Sequence, residues 1–149
     1  MTMPKKPTIL CIDDLASNLR VRTALLEQFG CNTIAVADHQ SALRTVADEQ
    51  VDLLVIDYHL ANNETGEDIA RDVRVMRPEV PLIMLTGDSR LPESAIQSVD
   101  AVLIKGTSNP TALLDLIQKL LPDAALRPRR PMLVSDPPPD NKPSPKSST

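Results

Sequence analysis

Several polar side chains stand where apolar runs stop. Asp13 and Asp14 follow residues 8–12 (TILCI), Asp57 follows 53–56 (LLVI), Thr86 follows 82–85 (LIML) and Lys105 follows 101–104 (AVLI). Each run reads as a β-strand buried on both faces, so each polar residue marks a strand's carboxyl end. In an open parallel sheet those ends share one edge, where ligands bind. Three carboxylates, a hydroxyl and an ammonium are therefore predicted to converge at one mouth. Clustered carboxylates repel unless a cation offsets them. Mg2+ is the natural one, a hard cation held by carboxylates, waters and phosphate oxygens. Zinc lacks its His/Cys set, and His39 and His59 alone cannot supply it. With the cation in place, an aspartate oxygen can attack a phosphoryl donor and form an acyl phosphate. Mg2+ and Lys105 would neutralise the phosphoryl oxygens, and Thr86 would hydrogen-bond one of them and draw its loop inward.

The elements that must position these groups alternate in the βα manner that builds a parallel sheet. Strands are predicted at about 8–12, 32–36, 52–57, 81–86 and 101–104, and helices at about 16–29, 39–49, 66–77, 91–98 and 109–121. Val21, Leu25 and Phe29 form one apolar stripe, Ile69, Val73 and Met76 a second, and Leu113, Ile117, Leu120 and Leu121 a third; these pack helices onto the sheet. Gly30 is placed to close the first helix. Asp38 caps the second, and Asn109-Pro110 opens the fifth. Pro78 and Pro81 bracket the exit from the third. The fourth helix has a short stripe (Leu91, Ala95, Ile96, Val99), which suits an element able to move. Right-handed crossovers then give a three-layer α/β sandwich.

Composition narrows the field. The chain has 149 residues, 42% of them hydrophobic, with no Trp, one Tyr (Tyr58) and one Phe (Phe29), so the core is aliphatic. Cys11 and Cys31 lie too far apart for a CxxC motif and read as small buried hydrophobes. No apolar stretch approaches the ~18 residues of a membrane span, and the start lacks a signal-peptide core. A cytoplasmic protein without membrane contact is expected. Residues 1–6 read as a leader and 7–121 as one domain. Residues 122–149 read as a disordered tail carrying eight of the fourteen prolines. Five Lys+Arg against three Asp put +2 on the tail, leaving −6 on the body from a total of −4. An acidic body argues against direct DNA binding. Arg127–Pro131 (RPRRP) would suit an acidic partner, but reads more simply as solvated chain.

Cys11-Ile12-Asp13-Asp14, Asp57-Tyr58-His59-Leu60, Leu85-Thr86-Gly87-Asp88 and Leu103-Ile104-Lys105-Gly106 together resemble the receiver domain of two-component response regulators. The resemblance covers residues ~7–121. Asn18, four places after Asp14, and the run from Asp57 to Gly66 are similar to receivers of hybrid histidine kinases and phosphorelays. The resemblance implies a flavodoxin-like (βα)5 sandwich with strand order 2-1-3-4-5. It implies Asp57 as phosphoacceptor, Asp14 as direct Mg2+ ligand, Asp13 acting through water, and the His59 backbone carbonyl completing the protein's share of the shell. Thr86 becomes the switch hydroxyl and Lys105 the phosphate partner. His59 and Asp88, two residues beyond Asp57 and Thr86, flank the path of hydrolytic water in the family and are candidates for tuning phosphoryl lifetime; the plainer alternative is solvated loop residues. His39 reads as exposed.

Three departures stand out. Val102 takes the place where receivers often carry an aromatic switch residue, and Gly106 the place of a frequent cis proline. Residues 61–66 (ANNETG) lengthen the loop after Asp57. The expected function is a stand-alone receiver that catalyses only its own phosphorylation and dephosphorylation, not an enzyme acting on other substrates. Its partners would be a histidine kinase or phosphotransfer protein and a downstream protein met through helix 4, strand 5 and helix 5, unless it relays the phosphoryl group. Two readings compete. A non-phosphorylated scaffold is favoured by Val102 and Gly106 and opposed by the intact acidic set. An aspartate-nucleophile phosphohydrolase wants a general acid where His59 stands, and a cap domain that no insertion supplies.

Overall fold

The computed structural model describes residues 6–88, 90–106, 111–124 and 126. The strands are β1 (Thr8–Ile12), β2 (Asn32–Val36), β3 (Leu53–Asp57), β4 (Leu82–Thr86) and β5 (Ala101–Ile104). They alternate with α1 (Ala16–Gln28), α2 (His39–Asp48), α3 (Gly66–Met76), α4 (Glu93–Gln97) and α5 (Ala112–Leu120). The sheet is parallel throughout, in the implied order β2-β1-β3-β4-β5. Its register sets the site. Ile12 pairs with Ile56, so Asp13 and Asp57 leave adjacent strands at one level. Asp57 pairs with Leu85 and Leu85 with Leu103, which puts Thr86 one step and Lys105 two steps further along.

Two apolar layers hold the sheet between its helices. Leu10, Ile12, Leu54 and Ile56 pack against Ala42 and Val46 of α2 and Ile69, Ala70 and Val73 of α3. Ile9, Cys11, Leu53, Val55 and Ile83 face Leu19 and Leu26 of α1 and Leu113, Leu114 and Ile117 of α5. β3 and β4 are buried along their whole length, as their unbroken apolar runs require. β5 differs from expectation. All four of its residues are only half-buried, because it is the sheet's edge and α4, five residues long, buries only Ala95.

Local chemistry sets the boundaries. Gly30, at φ 94°, donates to the Glu27 carbonyl while Cys31 donates to Leu26, which closes α1 in a Schellman motif. The Asp38 carboxylate accepts the Ser41 N–H at 2.8 Å, and this bond holds its pKa below the ordinary value. α5 starts at Ala112 after Thr111, which makes no side-chain cap bond; the expected cap at Asn109-Pro110 lies outside the described residues. So do residues 1–5 of the leader and nearly all of the tail. Of the tail's described part, Leu126 packs against the α1/α5 core layer.

Three helix-face expectations need correction. Val21 is 72% exposed, and α1 buries Leu19 and Leu26 instead, with Leu25 and Phe29 half-buried beside them. Met76 and Ile96 are also exposed, at 39% and 43%. His39 is half-buried rather than exposed, its Nε2 lying 2.8 Å from Asp72 Oδ2 across α2 and α3.

Candidate functional site

Asp13, Asp14 and Asp57 converge at the carboxyl edge of β1 and β3, each offering a carboxylate oxygen within 4.8 Å of the others. Their environments differ. Asp13 is wholly buried, and its Oδ1 accepts the Leu15 N–H at 3.0 Å. Its Oδ2 takes Asn18 Nδ2 at 3.1 Å and the Arg22 guanidinium at 3.3 and 3.4 Å. Asp14 is exposed. Asp57 is 6% exposed, and Lys105 Nζ lies 2.5 Å from its Oδ1. Burial pushes the Asp57 pKa above the ordinary value, and the charge of Asp13 adds to the rise. The hydrogen bond and charge of Lys105, and the charge of Arg22, oppose it without cancelling it.

Lys105 is positioned by its own backbone, whose N–H donates to the Thr86 carbonyl at 2.7 Å. The Thr86 side chain is turned into its loop. Its hydroxyl donates to the Asp88 carbonyl at 3.2 Å and accepts the Asp88 N–H at 3.0 Å. The Asp88 carboxylate accepts the Arg90 N–H at 3.0 Å, so it is engaged in building the same loop. His59 is exposed, with its ring edge-on to Tyr58 at 4.8 Å.

The loop after Asp57 folds back on itself. Asn62 and Asn63 both have left-handed φ (62° and 60°), and the Glu64 N–H donates to Ala61 at 3.2 Å, a type I′ turn. His59 and Thr65 face each other across this small hairpin. The flanking bonds run from Gly66 to the Tyr58 carbonyl and from Leu60 to the Glu64 carbonyl, so the pairing does not use the carbonyl of His59. Gly66 then starts α3 against β3. A Cβ there would stand 2.7 Å from the Asp57 carbonyl oxygen and 2.8 Å from Ile56 Cγ2. Gly66→Ala is expected to push the start of α3 off β3 and to destabilise the fold by about 1–3 kcal/mol, read by urea unfolding.

Arg22 escaped the sequence reading. It was legible only as a residue four places after Asn18, on the same helix face and hence one turn further from Asp13. The cysteines lie apart from this chemistry. Both are buried, and burial pushes their thiols up to about 12 (Cys11) and about 11 (Cys31), which keeps them protonated and unreactive. Among the described residues no helix is long and apolar enough to cross a membrane.

Residues 9–121 match the family model described as the response regulator receiver domain. The chain belongs to this family. Sensor protein GacS of Pseudomonas syringae pv. syringae is 30% identical over an alignment 112 positions long, which covers 70% of this chain and 12% of GacS. The signal receiver domain of an HD domain-containing protein from Pseudomonas fluorescens Pf-5 has the same fold, with a TM-score of 0.73 at 27% identity, over 83% of this chain and 93% of that one. Response regulator protein TrrA from Thermotoga maritima, solved in complex with Mg2+-BeF, gives a TM-score of 0.70 at 21% identity over 76% of this chain and 98% of that one. A structure of histidine kinase ThkA in complex with TrrA gives 0.69, also at 21% identity, over 77% and 98%.

Two of the expected departures lie at and just beyond the edge strand. Val102 pairs with Met84 in β5, so the place of the frequent aromatic is filled by a half-buried aliphatic side chain. Gly106 has a left-handed φ of 80°, and no cis peptide occurs among the described residues. Proline at 106 would demand a φ near −65°, so the backbone here is built for glycine.

Proposed function

We propose that this receiver accepts a phosphoryl group on Asp57 from a phosphohistidine of a histidine kinase or phosphotransfer protein, in a Mg2+-dependent way. The observation that carries this reading is the convergence of Asp13, Asp14 and Asp57 with Lys105 on the Asp57 carboxylate. The donor set is all oxygen, which fits a hard cation and disfavours zinc. Asp14 and Asp57 would hold it directly, with Asp13 acting through water and the His59 carbonyl adding a fourth oxygen. The bound ion would neutralise charge on the phosphoryl oxygens. TrrA, with its Mg2+-BeF complex and its kinase complex, supports both the cofactor and the partner class.

The chain's own residues would do the rest. With Oδ1 held by Lys105, Oδ2 of Asp57 is the oxygen outside that ion pair and the natural nucleophile. Attack forms the acyl phosphate as the donor's P–N bond breaks and the imidazole leaves. The Lys105 ammonium then faces phosphoryl oxygens in place of a carboxylate. Thr86 would exchange its bond to the Asp88 carbonyl for one to the phosphoryl group, freeing the β4–α4 loop. α4, which buries only Ala95, would follow, so the signal would leave through α4, β5 and α5 without an aromatic switch. Output would be a protein contact or onward relay of the phosphoryl group, in the cytoplasm where a kinase domain works. His59, exposed beside the site, would tune the lifetime of the phosphoryl group; Asp88 would act on it mainly through the loop it organises. An acidic body disfavours DNA as the direct target.

Incubation with a small phosphodonor is the test. The expected result is one adduct of roughly 80 Da on intact protein with Mg2+, and none after EDTA treatment. Continuous phosphate release at many turnovers would favour a hydrolase, and an unmodified mass would leave a scaffold.

A further inference from the structure

We propose that Arg22 is a built-in counter-cation of the acidic cluster that weakens Mg2+ binding, so that the free receiver holds the ion loosely until the charge of a phosphoryl group on Asp57 offsets the guanidinium. The inference rests on the metal reading above and adds a residue that tunes it. The guanidinium is an inward group: its side chain is 10% exposed and its partner Asp13 is fully buried. Both terminal nitrogens reach the same carboxylate oxygen, at 3.3 and 3.4 Å, beside the amide of Asn18. Its charge also reaches Asp57, whose ionised form it favours. An arginine is costly to bury, and its ion pair with the wholly buried Asp13 offsets that cost only in part. Its charge is therefore the feature that calls for an explanation.

The charge count supplies one. Asp13, Asp14 and Asp57 face Lys105 and Arg22, a formal balance of −1. A divalent cation alone would overshoot to about +1, whereas without Arg22 the same cation would bring the site from about −2 to zero. Phosphorylation replaces one carboxylate charge by about two on the phosphoryl group, so with Arg22 present the metal and the phosphoryl group together reach neutrality. Each then favours the other's binding, as linkage requires. Arg22 would thus lower metal occupancy of the idle receiver, and the charge added by phosphorylation would restore it.

The test is a Mg2+ titration of the full chain, followed by calorimetry, with and without beryllofluoride as the phosphoryl mimic. Arg22→Gln is expected to tighten Mg2+ binding to the free protein roughly 5- to 20-fold, while Arg22→Lys, which keeps the charge, stays within about 3-fold of wild type. With beryllofluoride, wild type and neutral variants alike should bind Mg2+ more tightly than without it, and the neutral variants should keep their advantage. Arg22→Met, neutral and apolar, serves as a second neutral variant and should behave like Arg22→Gln. Unchanged or weaker Mg2+ binding in folded neutral variants overturns the proposal. Failure of both neutral variants to fold overturns it too, making Arg22 a structural partner of Asp13. Absence of Mg2+ binding in wild type and in both neutral variants overturns the underlying metal reading as well.

Discussion

Asp57→Asn is expected to take up no phosphoryl group and, at neutral pH, to unfold at a higher temperature than wild type. The two effects share one cause. The acceptor must be a carboxylate, yet at 6% exposure that carboxylate is poorly solvated and sits beside Asp13. Lys105 and Arg22 offset this strain only in part, and the pKa stays raised. A carboxyl with a raised native pKa contributes most stability below its unfolded value, near 4, and loses that contribution as pH rises through its folded value. Asn mimics the protonated form at every pH. The variant's advantage should therefore be largest near pH 7 and should shrink as pH falls toward the ordinary carboxylate range. Thermal melts of both proteins at two pH values check this. A variant less stable than wild type at neutral pH would mean that the Lys105 pair outweighs the burial cost.

Lys105→Gln is expected to separate rate from stability. Lys105 Nζ lies 2.5 Å from Asp57 Oδ1, but its side chain is 35% exposed. Solvent screens such a pair, so its loss should change unfolding free energy by no more than about 1 kcal/mol. In the transition state the ammonium faces the charge of a transferring phosphoryl group, and removing such a donor typically slows reaction roughly 100-fold. Phosphorylation by a small donor should therefore be slow but still Mg2+-dependent in a protein with near-native melting. Unchanged kinetics would remove Lys105 from the reaction.

Most of the fold was legible because three strands are buried apolar runs with polar stops. The expected β3 and β4 each began one residue early, at Asp52 and Pro81, and their ends at Asp57 and Thr86 match the structure. The less legible parts are those decided by packing. α1 carries Leu19, Val21, Leu25, Leu26 and Phe29 on several faces, and only contact with β1 and α5 selects Leu19 and Leu26 over Val21. α4, expected over 91–98, contracts to Glu93–Gln97 behind Pro92, because one alanine is all it buries. β5, at the edge in the expected order, still read as buried on both faces because its AVLI run carries no mark of an edge. At the site, the carboxylates, Thr86 and Lys105 announced themselves by interrupting apolar runs. Arg22 could not, because a lone arginine inside a mixed helix looks like a solvated side chain until Asp13 is found against it. The loop of residues 61–66 read as extra length, although paired asparagines tolerate the left-handed backbone of a tight turn.

The central claim, that Asp57 is the nucleophile in a Mg2+-dependent reaction, is tested most directly by locating the phosphoryl group. Borohydride reduces an acyl phosphate to an alcohol, so a phosphorylated aspartate becomes homoserine and can be found by peptide mass mapping. After treatment with phosphodonor and Mg2+, homoserine is expected at position 57 alone, and nowhere when EDTA is present. An intact aspartate at 57 with homoserine at 13 or 14, or no homoserine in the Mg2+-treated protein, would contradict the account.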